Sequence, residues 1–368
     1  VRSDDIRMDK RIYASYGQRP AELVKELLAE IDAAKDIPSG ARIGLKPNLV
    51  VAKPAREGAT TTPELVEGVI QYLQDHGHKN IAILEGSWVG ASTQRAFRVC
   101  GYDDLARRYG VELVDLQKDS FHPRRVGDLE INVCSELDRV HYLINMPVLK
   151  GHCQTKITCA LKNLKGCIPN QEKRRFHALG LHKPIAYLNK AIKTDLIVVD
   201  GLNGDLDFEE GGNPVQMDLI LVGKDPVLID SYVAQLMGYH PSEIGYLRLA
   251  AELGVGHLFD ADTEVVVLRP AENTRRLSPS RAVERLARLV QEDQACSACF
   301  GSLIHALARL GEQGLLQRVP RPLVIGQGFR GKTGEGFGIG SCTRGFTSHV
   351  KGCPPSARDI LEQLAGLK

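Results

Sequence analysis

Residues 61–87, TTPELVEGVIQYLQDHGHKNIAILEGS, predict a helix followed by a buried strand. Thr62 is placed to cap the helix, and Pro63 suits its first position. Apolar residues then recur at helical spacing on one face: Leu65, Val69 and Leu73. The apolar run Ile81–Leu84 predicts the strand, and a similar run at Arg42–Leu45 precedes the helix. Strand, helix and strand in this order indicate an α/β fold with parallel strands.

The same alternation continues along the chain. Helices are predicted from Arg19, from Asp225 to Met237 and after Pro241. Short apolar runs between helical or glycine-rich segments predict further strands: Val111–Leu116, Tyr142–Met146, Leu196–Val199 and Leu219–Val222. Asp128–Val133 followed by Asp138–Met146 suggests a hairpin, so we expect a mixed, mainly parallel sheet flanked by helices.

The pattern changes at about residue 275. We predict an α/β substrate-binding domain over residues 1–275 and a smaller, cysteine-containing C-terminal domain over residues 276–368. In the second domain, helices are predicted at Arg281–Glu292 and Ser302–Glu312, and a strand at Leu323–Ile325.

Composition sets outer bounds on function. At about 150 residues per domain, 368 residues are enough for two or three domains. The 43% hydrophobic and 25% charged residues exclude a disordered or coiled-coil chain. A net charge of +2 is too small to indicate nucleic-acid binding through bulk charge. Apolar runs stay far below the roughly 20 residues that cross a bilayer, and Val1–Lys10 is charged, so we expect a cytoplasmic protein without a membrane segment.

Four late cysteines give the sharpest chemical signal: Cys296, Cys299, Cys342 and Cys353. Two cysteines three positions apart can supply two sulfurs from one turn, and two later cysteines can complete a four-thiolate site. The last one precedes proline, as in ferredoxin-like sequences, and the second half lacks the paired spacing of a zinc ribbon. A [4Fe–4S] cluster is therefore favoured over structural zinc, and over free thiols or a redox disulfide.

Residues Gly326–Thr333 match the phosphate-loop pattern and follow the predicted strand Leu323–Ile325. A phosphate loop needs a helix to begin at its Lys-Thr pair, whereas here a run of glycines follows Lys332. Context therefore argues against nucleotide binding.

The basic segment 147–170 follows a predicted strand, and we expect it to enter a helix after Gly151. Helical spacing would place six residues on one polar face: His152, Thr155, Lys156, Cys159, Lys162 and Asn163. Lysines this close repel each other unless an anion relieves the cost, although a solvated basic face is the simpler alternative. Among these six, His152, Lys156 and Cys159 are the candidate catalytic residues, with His152 as a proton donor and Cys159 as a reactive thiol.

Polar groups follow several predicted strands, and loops at strand carboxyl ends form the ligand crevice of α/β sheets. The acidic loop Asp205–Pro214 could cover this crevice. The candidate substrate-binding residues are Lys46, Asn48, Ser87, Lys150, Thr155, Lys162, Asn163, Asp200 and Asn213.

Several short motifs occur in an order that resembles the family called domain of unknown function 362. They are Leu45-Lys46-Pro47-Asn48, Thr61-Thr62-Pro63-Glu64, Glu85-Gly86-Ser87, Lys162-Asn163-Leu164-Lys165-Gly166, Asp200-Gly201, Gly212-Asn213-Pro214 and Gly223-Lys224-Asp225-Pro226. The resemblance covers about residues 42–255. It implies an iron–sulfur cluster at the four late cysteines, because members often carry such clusters. The double-cluster insertion of many members is missing here, so one cluster is the most we expect.

These observations favour an enzyme: an iron–sulfur oxidoreductase that reduces a small anionic substrate in a lysine-lined crevice beside the cluster. The pattern also allows a non-redox lyase or desulfurase with an open iron site, or a non-catalytic electron-transfer partner protein. We expect an external donor such as ferredoxin, a role in anaerobic metabolism and a possible homodimer, with neither nucleic acid nor membrane as partner.

Overall fold

The computed structural model describes residues 10–271 and 282–367. The strands are β1 (Arg11–Tyr16), β2 (Ile43–Pro47), β3 (Ile81–Glu85), β4 (Glu112–Asp115), β5 (Phe121–Val126), β6 (Leu129–Cys134), β7 (Tyr142–Met146), β8 (Lys150–His152), β9 (Lys156–Thr158), β10 (Leu196–Asp205), β11 (Pro214–Gly223), β12 (Glu264–Arg269), β13 (Val290–Glu292), β14 (Leu323–Ile325), β15 (Gly334–Ile339) and β16 (Phe346–Val350). The α-helices are α1 (Pro20–Glu30), α2 (Pro63–Asp75), α3 (Thr93–Val99), α4 (Tyr102–Tyr109), α5 (Ala160–Asn163), α6 (Asn170–Ala178), α7 (His182–Ala191), α8 (Pro226–Leu236), α9 (Gly245–Glu252), α10 (Ala282–Ala287), α11 (Ser297–Glu312) and α12 (Ala357–Ala365).

The large sheet has eight strands in the order β12-β1-β11-β10-β7-β2-β3-β4. Neighbouring strands pair in parallel except at β11, which runs antiparallel to both β1 and β10. Apolar cores pack on both faces, one around α1, α2 and α4 and the other around α5, α7 and α8. The prediction of a mixed, mainly parallel sheet flanked by helices is confirmed.

The residues that typically begin helices locate α2 and α8 correctly in the sequence. The two helices differ in whether a side chain caps the first turn. Asp225 caps α8 as expected, accepting hydrogen bonds from the backbone N–H groups of Val227 and Leu228. Thr62 precedes α2 without a side-chain cap, and its backbone N–H instead donates to Asp200 Oδ2 at 2.6 Å. This bond ties the start of α2 to the middle of β10.

The predicted hairpin is wrong in its pairing. The strand near Asp128–Val133 does form a hairpin, but its partner is β5, which precedes it in the chain. The strand β7 instead lies inside the large sheet, parallel to both β2 and β10. The sheet is mixed because β11 turns back beside β10.

A second sheet of four parallel strands, β13-β14-β15-β16, packs against α11 and α12 with its own apolar core. The predicted helix Arg281–Glu292 is wrong beyond α10, because β13 follows. Its first residue lies outside the described residues, as does part of the predicted domain boundary. The second predicted helix begins earlier, at Ser297, and part of the glycine-rich tract forms β15.

The predicted helix after Gly151 is also wrong. The segment first forms the β8–β9 hairpin, and only Ala160–Asn163 is α-helical. Lys156 has a positive φ of 67°, and Cys159 is extended, with φ −153°. The six side chains of the expected polar face therefore do not share a helix.

Candidate functional site

The carboxyl ends of the two sheets face each other across a cavity of about 120 Å³. The large-sheet side contributes residues that follow β2, residues at and after the end of β3, and part of the Lys-Asn-Leu-Lys-Gly segment: Asn48, Glu85, Gly86, Trp88, Val89, Gly90, Lys162, Asn163, Lys165 and Gly166. The small sheet contributes Cys296, Cys299 and Cys353. This volume is close to that of the engineered cavity of about 150 Å³ that binds benzene.

A buried ion pair closes the large-sheet side of this cavity. Lys46 Nζ lies 3.1 Å from Glu85 Oε2, and both side chains are buried. The same carboxylate accepts a hydrogen bond from the backbone N–H of Leu49 at 2.6 Å. Gly166 passes so close that a Cβ there would lie 2.3 Å from Glu85 Oε1 and 2.7 Å from Lys46 Nζ. The glycine of the Lys-Asn-Leu-Lys-Gly motif therefore makes room for the pair.

Two asparagines and a second lysine extend the network. Asn48 Nδ2 donates to Asn163 Oδ1 at 2.9 Å, and Lys150 Nζ donates to Asn48 Oδ1 at 3.0 Å. Lys150 also donates to the backbone oxygens of Ala59 and Glu209. Burial lowers the pKa of Lys150 to about 8. These residues satisfy one another, so only the edge formed by Asn48 and Asn163 reaches the cavity.

The acidic loop Asp205–Pro214 contributes Glu209 and Glu210 to the lining of the cavity. Glu209 pairs with Lys162 and lies 3.0 Å from His152 Nε2, although that contact is poorly aligned for a hydrogen bond. Burial alone would raise the pKa of Glu209, but Lys162 and His152 hold it well below its usual value. The next residue, Glu210, has its pKa raised to about 7 by burial and by Glu209.

The predicted proton donor His152 is buried beneath this loop and does not line the cavity. Its Nδ1 accepts hydrogen bonds from the backbone N–H groups of Gln154 and Thr155. Burial, with Lys162 adding to the effect, lowers the pKa of His152 to about 4. The ring is therefore neutral near pH 7.

The polar wall of the cavity comes from residues that the sequence reasoning missed. Helix α6 presents Lys173, Arg174 and His177 on the face toward the cavity, and Lys165 lies opposite His177, with 3.3 Å between Lys165 Nζ and His177 Nε2. Burial and Lys162 lower the pKa of Lys165 to about 7. His177 Nδ1 is buried without a hydrogen-bond partner among the described residues. The spacing of positions 173, 174 and 177 on one helix was the available signal.

The four late cysteines converge from the carboxyl edge of the small sheet. Cys296 and Cys299 begin α11 after β13, Cys342 follows β15, and Cys353 follows β16. Burial raises the pKa of the Cys299 thiol, and the other three thiols add to the rise because they lie nearby. None of these cysteines forms a disulfide.

Two side chains donate toward the sulfur atoms. Gln327 Nε2 lies 3.6 Å from Cys296 Sγ, and Arg330 lies 3.7 Å from Cys342 Sγ. Within residues 10–271 and 282–367, no three His, Cys, Asp or Glu side chains are placed as ligands of one metal ion. The thiolates of a four-iron cluster bind four different irons and stand farther apart than the ligands of a single ion. The donor set and its converging loops therefore fit a cluster.

Several other predicted site residues lie away from the cavity. Lys156 pairs with Glu243 at 2.6 Å on the surface, and Cys159 is fully buried in the core. Asp200 accepts from backbone N–H groups, and Thr155 and Ser87 donate to backbone oxygens. Asn213 is exposed, and its backbone N–H donates to Asp205. Cys153 is half-buried and Cys167 is fully buried.

The segment Gly326–Thr333 forms a short 3-10 turn at Gln327–Phe329 and leads into β15. The helix that a phosphate loop requires after its lysine is replaced by a strand. The structure therefore agrees with the argument against nucleotide binding at this segment.

Among the described residues, no helix has the length and apolar character needed to span a bilayer. A mainly parallel sheet flanked by helices, with a cavity at its strand ends, defines an α/β protein. The chain belongs to the family described as "Domain of unknown function (DUF362)", whose model matches residues 43–235.

Two known proteins are similar to this chain. It is 27% identical over 228 residues to "Thylakoid-associated protein sll1697" of Synechocystis sp., covering 59% of this chain and 69% of that protein. A lactate racemase apoprotein from Thermoanaerobacterium thermosaccharolyticum matches with a TM-score of 0.39 and 12% identity, over 65% of this chain and 56% of that one. The structural likeness is too weak to carry an argument about function.

Proposed function

We propose that this chain is an iron–sulfur protein in which Cys296, Cys299, Cys342 and Cys353 hold one [4Fe–4S] cluster. The observation that carries the proposal is that thiols from three separate loops lie close together: Cys296, Cys299 and Cys353 line one cavity, and Cys342 lies near Cys299. Such a cluster supplies one-electron transfer when it is bound. The hydrogen-bond donors Gln327 and Arg330 would stabilise the charged sulfur atoms.

We further propose that the cavity binds a small anionic substrate for reduction. Lys165 and Arg174 face the cavity, and neither forms an ion pair with a carboxylate of the described residues, so both can bind anionic oxygens. Lys165 and His177 are in contact and placed to pass a proton to the substrate. Trp88 and Val89 add apolar surface to the lining of the cavity.

A chemical analysis tests the cluster. Protein purified without oxygen should contain about four iron and four acid-labile sulfide per chain. Zinc as the only metal, or sulfide-free protein, would overturn the proposal.

Titration with small anions tests the cavity. Acetate, pyruvate, bicarbonate and phosphate are suitable probes for isothermal titration calorimetry. At least one should bind, and Arg174→Met should weaken it about tenfold, because a charge-assisted hydrogen bond contributes about 1.5–3 kcal/mol. If none of the four binds to protein with a full iron complement, the cavity is not an anion site.

A second candidate function is that of an electron-transfer partner without a substrate. It is favoured by one observation, the exposure of Cys353 at the protein surface. An iron-loaded protein that exchanges electrons with a redox protein but binds none of the four anions would support this alternative.

A further inference from the structure

The outer side of the cysteine-bearing edge is basic. Arg330, Arg344 and Lys351 are all exposed, and we call these three residues the outer basic patch. Arg330 reaches Cys342 Sγ, Arg344 follows Cys342 by two residues, and Lys351 precedes Cys353 by two. None of the three forms an ion pair with a carboxylate of the described residues.

Acidic residues near the patch do not cancel its charge. Asp293 follows β13 at the same sheet edge, but Lys332 pairs with it at 3.4 Å. On α12, Glu362 pairs with Arg358, and Asp359 is exposed on the same helix. Glu335 lies at the opposite end of β15 from Cys342. The surface around the two outer cysteines is therefore net positive.

We propose that the outer basic patch is the docking surface for a small acidic electron-carrier protein. The inference rests on the proposed iron–sulfur function, because it places the patch beside the exposed Cys353. In the transfer, the carrier loses one electron and this protein gains it. Electron-transfer encounters use small, charged interfaces that guide association more than they hold it.

An acidic protein fits this surface better than an anionic membrane. Proteins that bind a membrane surface insert exposed apolar side chains beside their basic residues. The large apolar side chains exposed in the described residues are Val99, Phe121, Leu179 and Val267. None of them lies in the β13–β16 sheet or its loops. The patch thus offers charge without an apolar anchor.

The direct test is binding, measured by isothermal titration calorimetry at low ionic strength with an oxidised plant-type [2Fe–2S] ferredoxin as the acidic probe. The test variant is Arg344→Glu with Lys351→Glu, which leaves Arg330 and its contact with Cys342 intact. The matched control reverses the charge of two exposed lysines outside the patch: Lys35→Glu with Lys79→Glu. Lys79 lies two residues before β3, at the edge of the large sheet opposite the cavity.

The patch variant should bind ferredoxin at least tenfold more weakly than wild type, and the control variant should bind within twofold of it. Wild-type affinity should fall as salt rises, because the Debye length shortens to about 8 Å at 0.15 M. Lys351→Gln alone, which removes one charge without adding another, should give a smaller loss of about threefold. This milder variant keeps the proposal testable if the double variant folds poorly.

Equal affinities for wild type and both patch variants would overturn the docking surface. A second result would also overturn it: wild type binds phosphatidylglycerol vesicles and the patch variant does not, while both bind ferredoxin with the same affinity. The two proposals can fail separately: iron-free protein that still binds ferredoxin through the patch refutes the cluster alone, whereas iron-loaded protein with unchanged affinity in the variants refutes the docking surface alone.

Discussion

The two sheets present their carboxyl edges to the same cavity with opposite chemistry. On the large sheet, Lys46 pairs with Glu85, and Lys150 donates to three oxygens within the chain. On the small sheet, four thiols gather with only Gln327 and Arg330 donating toward them among the described residues. The polar groups of this Lys46–Glu85 and Lys150 network satisfy one another without a ligand, and buried polar groups of that kind mainly maintain structure. The second edge is composed of groups that a metal cluster would complete.

The largest expected effect is on cluster binding. Cys299→Ser should lower iron from about four per chain to well below one, because it removes a thiolate ligand from the site. Cys153→Ser is the matched control, since Cys153 is half-buried but lies outside the cavity. Iron analysis and visible absorbance after anaerobic purification report the result. Equal iron in the two variants would exclude Cys299 as a ligand.

The next largest effect is on folding stability. Glu85→Gln leaves the buried Lys46 without its counter-ion and should lower the free energy of unfolding by about 3–5 kcal/mol. Glu22→Gln breaks an exposed pair with Arg19 and should cost about 0–1 kcal/mol. Urea denaturation followed by circular dichroism measures both. Losses of similar size would mean that the Lys46–Glu85 pair is solvated rather than buried.

A pH titration of stability checks the lysine network. The pKa of Lys150 is about 8 in the folded protein and near 10.5 when unfolded. Between these values the unfolded chain holds a proton that the folded chain has released, so stability rises with pH by up to about 1.4 kcal/mol per unit. The Lys150→Met variant lacks this contribution. The difference in unfolding free energy, wild type minus variant, should therefore grow from pH 8 to pH 10.

Urea denaturation of both proteins at matched pH values isolates the effect of Lys150 from other titrating groups. A difference that stays flat or shrinks across this range would show that Lys150 keeps an ordinary pKa.

The smallest effect is expected at Lys156, one of the catalytic candidates from sequence. Its partner Glu243 is half exposed, and exposed ion pairs contribute little. Lys156→Gln should shift the melting temperature by less than about 2 °C and leave iron content and anion affinity unchanged. Calorimetry and the anion titration check this. A tenfold loss of anion affinity would return Lys156 to the functional site.

Sequence reasoning predicted the large sheet well because its signals are local. Pro63 and Asp225 mark helix starts, and the buried strands are short apolar runs between turns. The pairing of β6 could not be read in the same way, because a short alternating strand can pair with either neighbour. In the folded protein, tertiary packing pairs β6 with β5 and places β7 inside the large sheet.

The site was harder to predict, because the polar residues after Gly151 recur at helical spacing although the segment does not form a continuous helix. The β8–β9 hairpin buries His152 beneath Glu209, and the cavity-facing histidine is His177 on a later helix. Only the fold brings that helix to the strand ends. The convergence of the four late cysteines was readable from spacing alone, but their position opposite Lys165 was not.

The most direct test of the central claim is Mössbauer spectroscopy of the whole chain purified without oxygen after growth on ⁵⁷Fe. We expect the spectrum of a four-iron cluster, with all iron in one site per molecule, and its loss in Cys299→Ser. Spectra of isolated iron ions would contradict the proposed cluster. So would protein that folds normally but contains no iron.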